Sequence, residues 1–330
     1  MILPRQALVL LALLILLAAA SLAAAILCGS SGCALPAAQI ADIFWQLRLP
    51  RALSAFAVGG LLALSGGLMQ LLLRNPLADP YVLGISGGAA TGALGMLLLT
   101  PAAVMGGQWL LQIGALAGAL LAIGLLFGLA RGALLRLTPS AFHASAGVRL
   151  ILTGVMIAAG FGALITLLLS MAPDTHIRGM VFWLMGDLEN ALWYGAAWAT
   201  LGIVLLWACI NAARLNVLAH GDAAAQLLGV RVLRLRALTL LAASLATAVA
   251  VAVAGTIGFI GLVVPHALRL LFGNDQRLLL PASALGGGIA LTLADLLARM
   301  VVAPVQLPVG VVTALVGVPV FLVLLAKGRT

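Results

Sequence analysis

Few residues of this 330-residue chain are of a type that performs covalent or acid–base chemistry. Gly84-Ile85-Ser86-Gly87-Gly88 satisfies the GxSxG spacing of a hydrolase nucleophile elbow, where a strained turn from a strand into a helix lifts the serine clear of the fold. Here a proline turn leads into an apolar run with no strand pattern before it, so small residues for helix packing explain the motif better. Ser86 as an intramembrane nucleophile stays an alternative. The four histidines, His143, His176, His220 and His266, are scattered over loops and helix ends, and there is no HExxH, so no metal site is expected. No GxxxxGK[ST] is present, so the chain is not expected to bind ATP through a P-loop. Asp295 precedes Arg299 by four residues, which puts both on one helical face as a local ion pair. An acid inside the membrane can also relay protons, so an ion-coupled secondary transporter is the alternative function.

The most unusual polar stretch is "RNPLADP", Arg74 to Pro80. Proline removes a backbone donor and pushes the preceding residue out of the helical region, so this heptad must be a turn. It is polar although its flanks are apolar for some twenty residues on either side.

The elements that position these residues follow from composition. Hydrophobic residues make up 64% of the chain and charged residues 8%, with a mean hydropathy of +1.25. A soluble domain of this length needs a charged coat that the sequence lacks. Repeated apolar runs of about 18 to 20 residues match ~30 Å of hydrocarbon, so the chain reads as an all-α polytopic membrane protein in a lipid bilayer, a single transmembrane domain over residues 1–330. Ten transmembrane helices are expected near 7–27, 51–71, 81–100, 109–130, 150–171, 192–212, 237–254, 256–271, 278–298 and 309–326. The first run is longer than a usual signal core and is read as a retained helix. Small-residue spacings such as Gly114/Gly118 suit close helix packing.

Ten crossings put both termini on one side. With that side cytoplasmic, only Arg48, Arg51, Arg178 and Arg299 of the 17 basic residues face outward, the bias that orients helical membrane proteins. The net charge of +9 is then a topology signal, and no nucleic-acid partner is implied. Cys28 and Cys33 fall just outside the first helix, in an oxidising compartment, and are expected to form a disulfide across the flexible Gly29–Gly32 segment, while Cys209 stays a thiol. In the basic loop around 215–230, Leu215 to Leu218 read as one apolar turn broken at Gly221. Asp222 is placed to cap a second short helix that carries Gln226, runs through Leu228 and ends at Gly229.

Two long stretches, "RLPRALSAFAVGGLLALSGGLMQLLLRNPLADPYVLGISGGA" from Arg48 and "GTIGFIGLVVPHALRLLFGNDQRLLLPASALGGGIALTLADLLAR" from Gly255, with "LNVLAHGDAAAQLLGVRV" between them, resemble the permease subunit of bacterial type II ABC importers, the FecCD family. The resemblance covers nearly the whole chain in order. It implies a multi-pass protein of the bacterial inner membrane that is not itself an enzyme. It also implies a homodimer around a central pathway, two separate ATPase subunits that hold ATP and Mg, no cofactor on this chain, and a periplasmic substrate-binding protein. The cargo would be a bulky metal chelate: cobalamin, a ferric siderophore or haem. Residue by residue, the resemblance implies a cytoplasmic gate at Asn75, Pro76 and Leu77, narrowed further near Gly147 and Val148, where relatives can carry small hydroxyl residues instead. ATPase coupling would fall to Leu215, Leu218, Gly221, Asp222, Gln226, Leu228 and Gly229. Binding-protein docking would fall to Arg48, Arg51 and Arg299.

Overall fold

The computed structural model describes residues 4–30, 32–33, 44–99, 109–135, 143–189 and 193–327, with only the backbone described in helical residues 4–5, 130–135, 143–148 and 327. Twelve α-helices account for nearly all of it: α1 (Pro4–Leu27), α2 (Leu49–Leu73), α3 (Ile85–Leu99), α4 (Trp109–Leu135), α5 (His143–Met171), α6 (Asp174–Leu184), α7 (Tyr194–Ala219), α8 (Asp222–Leu227), α9 (Val232–Ala254), α10 (Ile260–Phe272), α11 (Gln276–Met300) and α12 (Val309–Lys327). Eight are long and apolar enough to cross a membrane, and α3 and α10 are shorter apolar helices. These ten correspond one to one with the expected ten. Unexpected is α6, an 11-residue helix that starts after Pro173 with Asp174 in its first turn. A two-residue antiparallel ladder pairs Cys28 with Cys33 and Gly29 with Gly32.

The α2 helix is the axis of the bundle. Nearly all of it is buried, enclosed by α7, α9, α10 and α11. Between helices in lipid there is little hydrophobic drive, so close packing and internal hydrogen bonds must hold them. Ser65 of α2 donates to the Ala243 carbonyl at 2.8 Å and lies 2.8 Å from the Thr247 hydroxyl, and Gln70 donates to the Leu262 carbonyl at 3.1 Å. The α3–α4 contact depends on glycine. A Cβ on Gly118 would come within 2.0 Å of the Gly88 carbonyl oxygen, and one on Gly92 within 2.0 Å of that of Gly114.

Both short apolar helices start inside the body of the protein. A Cβ on Gly261, the second residue of α10, would lie 2.9 Å from the Leu62 carbonyl oxygen and 3.2 Å from Cδ of Pro80. Pro80 is therefore level with the middle of α2, although α2 itself runs on to Leu73. After Arg74 the chain climbs back into the protein before α3 begins. At 15 and 13 residues, α3 and α10 are only ~22 and ~20 Å long. Their lead-in segments meet: the Tyr81 hydroxyl donates to the Ile257 carbonyl and accepts from the Ile257 amide, both at 2.9 Å. Irregular backbone at this depth is tolerated because protein, not lipid, surrounds it.

Candidate functional site

At one end of the bundle the RNPLADP turn is built by local hydrogen bonds. Arg74 closes α2 in the left-handed region, with φ 49°. The Asn75 side chain accepts from the Leu77 amide at 2.9 Å, and the Ala78 amide reaches the Asn75 carbonyl at 3.1 Å. Asp79 accepts from the Tyr81 amide at 2.8 Å, which starts a 3-10 turn at Pro80–Leu83 where a continuous helix was expected. The Tyr81 hydroxyl, bonded to both backbone groups of Ile257, bridges this turn to the start of α10. Pro76 and Leu77 are exposed and Asn75 is half-buried, so the expected gate residues sit at the outer edge of the turn. The side chains of Gly147 and Val148 lie outside the described residues.

The coupling segment differs from expectation in two ways. Leu215 and Leu218 belong to the last turns of α7, not to a separate helix, because nothing breaks the helix before Gly221. They are 0% and 2% exposed, which removes them from any contact with a partner in this structure. Asp222 also does not cap α8. The capping position is Gly221, at φ 130°, a conformation that residues with a side chain resist. Asp222 is instead the first helical residue, and its buried carboxylate bonds Arg74 from the turn and Arg236 from α9, the latter at 2.6 Å. Arg74 also reaches the Leu218 carbonyl at 3.4 Å. One aspartate thus joins the end of α2, the tip of α8 and the start of α9. Gln226 is exposed, Leu227 and Leu228 are 89% and 70% exposed, and Gly229 follows at φ 77°.

At the other end the three arginines assigned to docking come together, but not as freely presented groups. Arg48, Arg51 and Arg299 are buried, where outward-facing groups were expected. Arg51 grips Asp295 with Nε at 2.9 Å from Oδ1 and Nη2 at 2.8 Å from the same oxygen, and donates to Gln306 at 2.8 Å. The i,i+4 pair read from spacing is present, with Arg299 Nε 3.0 Å from Asp295 Oδ2. Arg299 also donates to the Ala25 carbonyl at 3.2 Å, and Arg48 to the Leu27 carbonyl at 2.9 Å. The cause is burial: guanidiniums removed from water must find acceptors, and Asp295 with the α1 carbonyls supplies them. The Sγ atoms of Cys28 and Cys33 are 2.11 Å apart in this neighbourhood, and Cys209 is an exposed thiol on α7. Arg178 stands apart, 5.7 Å from the centre of the Phe182 ring. Among the described residues no group of three or more His, Cys, Asp or Glu side chains could hold a metal ion.

Sequence reasoning missed Arg236, Gln306 and the pairing of Arg51 with Asp295. One signal was available. With only eight acidic residues in the chain, an aspartate in or beside an apolar helix needs a cationic partner.

Comparisons with known proteins agree with this architecture. The description of the FecCD transport family matches residues 6–327. The chain is 42% identical over 285 residues to the vitamin B12 import system permease protein BtuC of Salmonella typhi, covering 86% of this chain and 83% of that one. The protein of the same name from Citrobacter koseri is 42% identical over 287 residues, with the same coverage. A solved ABC transporter described as of the metal-chelate type, in an inward-facing conformation, superposes with a TM-score of 0.82 at 28% identity, covering 97% of this chain and 99% of that chain. PsaBC from Streptococcus pneumoniae, solved with a Fab, shares the fold at a TM-score of 0.55 and 18% identity, over 87% of this chain and 94% of that chain.

Proposed function

The chain belongs to the FecCD transport family, and from that premise we propose that it is the permease subunit of an ATP-driven importer that carries a bulky metal chelate across the bacterial inner membrane. The observation that carries this reading is the joint at Asp222. Movement of the exposed Leu227–Leu228 tip by an ATPase subunit would act on Asp222, and through Arg74 on the turn that holds Asn75, Pro76 and Leu77. That gives a physical path from ATP hydrolysis on a partner to a gate on this chain. ATP and Mg belong to the partner in this reading, and this chain binds no cofactor.

The remaining assembly is part of the same proposal: a homodimer around the pathway, two ATPase subunits, both termini cytoplasmic and a periplasmic binding protein at the Arg48–Arg51–Arg299 end. Arg51 and Arg299 share the single carboxylate of Asp295, and that excess of positive charge supports attraction of an acidic partner surface at this end. We favour a cobalamin-type cargo, because the relatives at 42% identity carry that name. Ion-coupled transport through Asp295 is disfavoured, because two guanidiniums already hold its carboxylate.

Reconstitution with ATPase and binding protein in proteoliposomes tests the reading. Uptake of labelled cyanocobalamin that needs ATP and is not matched by ferric hydroxamate or haemin is the expected result. Uptake driven by an ion gradient without the ATPase overturns the importer reading. ATP-dependent uptake of one of the other chelates overturns the cargo alone.

A further inference from the structure

Beside the coupling segment, and sharing Leu228 and Gly229 with it, lies a cleft of about 490 Å³ whose three arginines the transport reading does not use. Its walls carry Arg214 of α7 and Arg231 and Arg234 at the start of α9, with Asn211, Leu228 and Leu238 between them, and among the described residues no carboxylate lines it. All three arginines are exposed, and among the described residues none of them forms an ion pair with a carboxylate. Arg214 donates to the Asn211 side chain at 3.1 Å.

The position of the cleft narrows what it can hold. Ile203, Leu206 and Ile210 of α7 are 69%, 62% and 70% exposed. Their spacing continues at Arg214 and Val217, so an apolar stripe along a membrane-crossing helix runs straight into the basic cleft. A ligand that fills both features has a negative head and a long apolar tail. We propose that this cleft binds an anionic glycerophospholipid, its phosphate on Arg214, Arg231 and Arg234 and one acyl chain along Ile203, Leu206 and Ile210. Guanidinium forks match phosphate oxygens with paired hydrogen bonds, and they are less strongly hydrated than ammonium groups. The inference depends on neither the cargo nor the orientation of the chain. Because Leu228 forms part of the wall, an occupied cleft would steady the segment that carries α8.

The test is native mass spectrometry of the purified full-length permease, titrated with phosphatidylglycerol and phosphatidylcholine of identical acyl chains. Wild type is expected to retain phosphatidylglycerol about ten-fold more strongly, and Arg214→Gln/Arg231→Gln/Arg234→Gln to lose most of that preference. The control Arg149→Gln/Arg277→Gln, two exposed arginines outside the cleft, should keep it. Should the triple variant not fold, Arg231→Gln and Arg234→Gln singly must each still lower the preference measurably. Equal loss in the control means a diffuse basic surface and overturns the proposal. Displacement of the lipid by millimolar inorganic phosphate would assign the cleft to a soluble anion, and displacement by the partner ATPase would assign it to that protein. Either result overturns the lipid assignment.

Discussion

Asp295 at one end and Asp222 at the other each sit between two arginines, yet the two arrangements do opposite things. At Asp295 the partner side chains are 10% and 5% exposed and come from helix ends that cross the bundle, α2 and α11. At Asp222 one partner, Arg74, is 39% exposed and belongs to a turn, and the aspartate itself opens a six-residue helix. Water is the difference. A buried charge that loses its partner has nowhere to go, whereas Arg74 can rehydrate when its bond opens. The same three-residue chemistry is therefore a clamp where it is dry and a joint where it is wet.

The largest effect should come from breaking the clamp. Asp295→Ala strands two buried guanidiniums and is expected to cost about 3–5 kcal/mol, read as a large fall in thermal unfolding temperature or as aggregation on size exclusion. Replacing the whole cluster by Arg51→Met/Asp295→Leu/Arg299→Met should recover most of that stability while abolishing any docking role. If it does not, the clamp does more than pack.

Next is Gly221→Val. A β-branched residue at φ 130° carries about 1–3 kcal/mol of local strain, relieved by distorting the start of α8. Coupled uptake should fall sharply while the permease inserts and unfolds at nearly the wild-type temperature. Normal uptake would mean that the break before α8 is not needed.

Asp222→Asn keeps the shape and removes the charge. Uptake per ATP hydrolysed is expected to drop about ten-fold, equivalent to ~1.4 kcal/mol, with the unfolding temperature little changed. An equal loss of stability at Asp222 and Asp295 would erase the distinction between joint and clamp. Salt should give the smallest effect. From about 0.1 to 1 M the screening length shrinks from ~10 to ~3 Å. Spin labels at the exposed Leu77 and Leu227 should then show a broader distance distribution, and labels at Leu47 and Val302 beside the clamp should not.

The ten apolar helices could be read from the sequence because lipid imposes a length and a composition on each. Short elements within protein carry no such mark. The helix after Pro173 falls in a stretch whose sequence reads as loop, and the lead-in at Tyr81, which reads as helix, is a 3-10 turn whose tyrosine bonds go to Ile257. The sequence reads Leu215 to Leu218 as a separate apolar turn, yet nothing before Gly221 stops the preceding helix, so they continue it. The arginines at 48, 51 and 299 could be placed at one end, but not turned inward. Their acceptors, Asp295 and the carbonyls of α1, are remote from at least two of them in sequence. Asp222 and Arg74 are 148 residues apart, and nothing local marks such a pair.

The bond between Arg51 and Asp295 also sets an order of events during synthesis. The two residues are 244 positions apart, so α2 enters the membrane long before its counter-ion exists. At ~5 to 20 residues per second the interval is roughly 12 to 50 s. For that time the Arg51 guanidinium has to be held at the headgroup level or sheltered by the insertion machinery. Arrival of α11 then closes the clamp and fixes α2 in the centre of the bundle, so the bundle is locked from its last third.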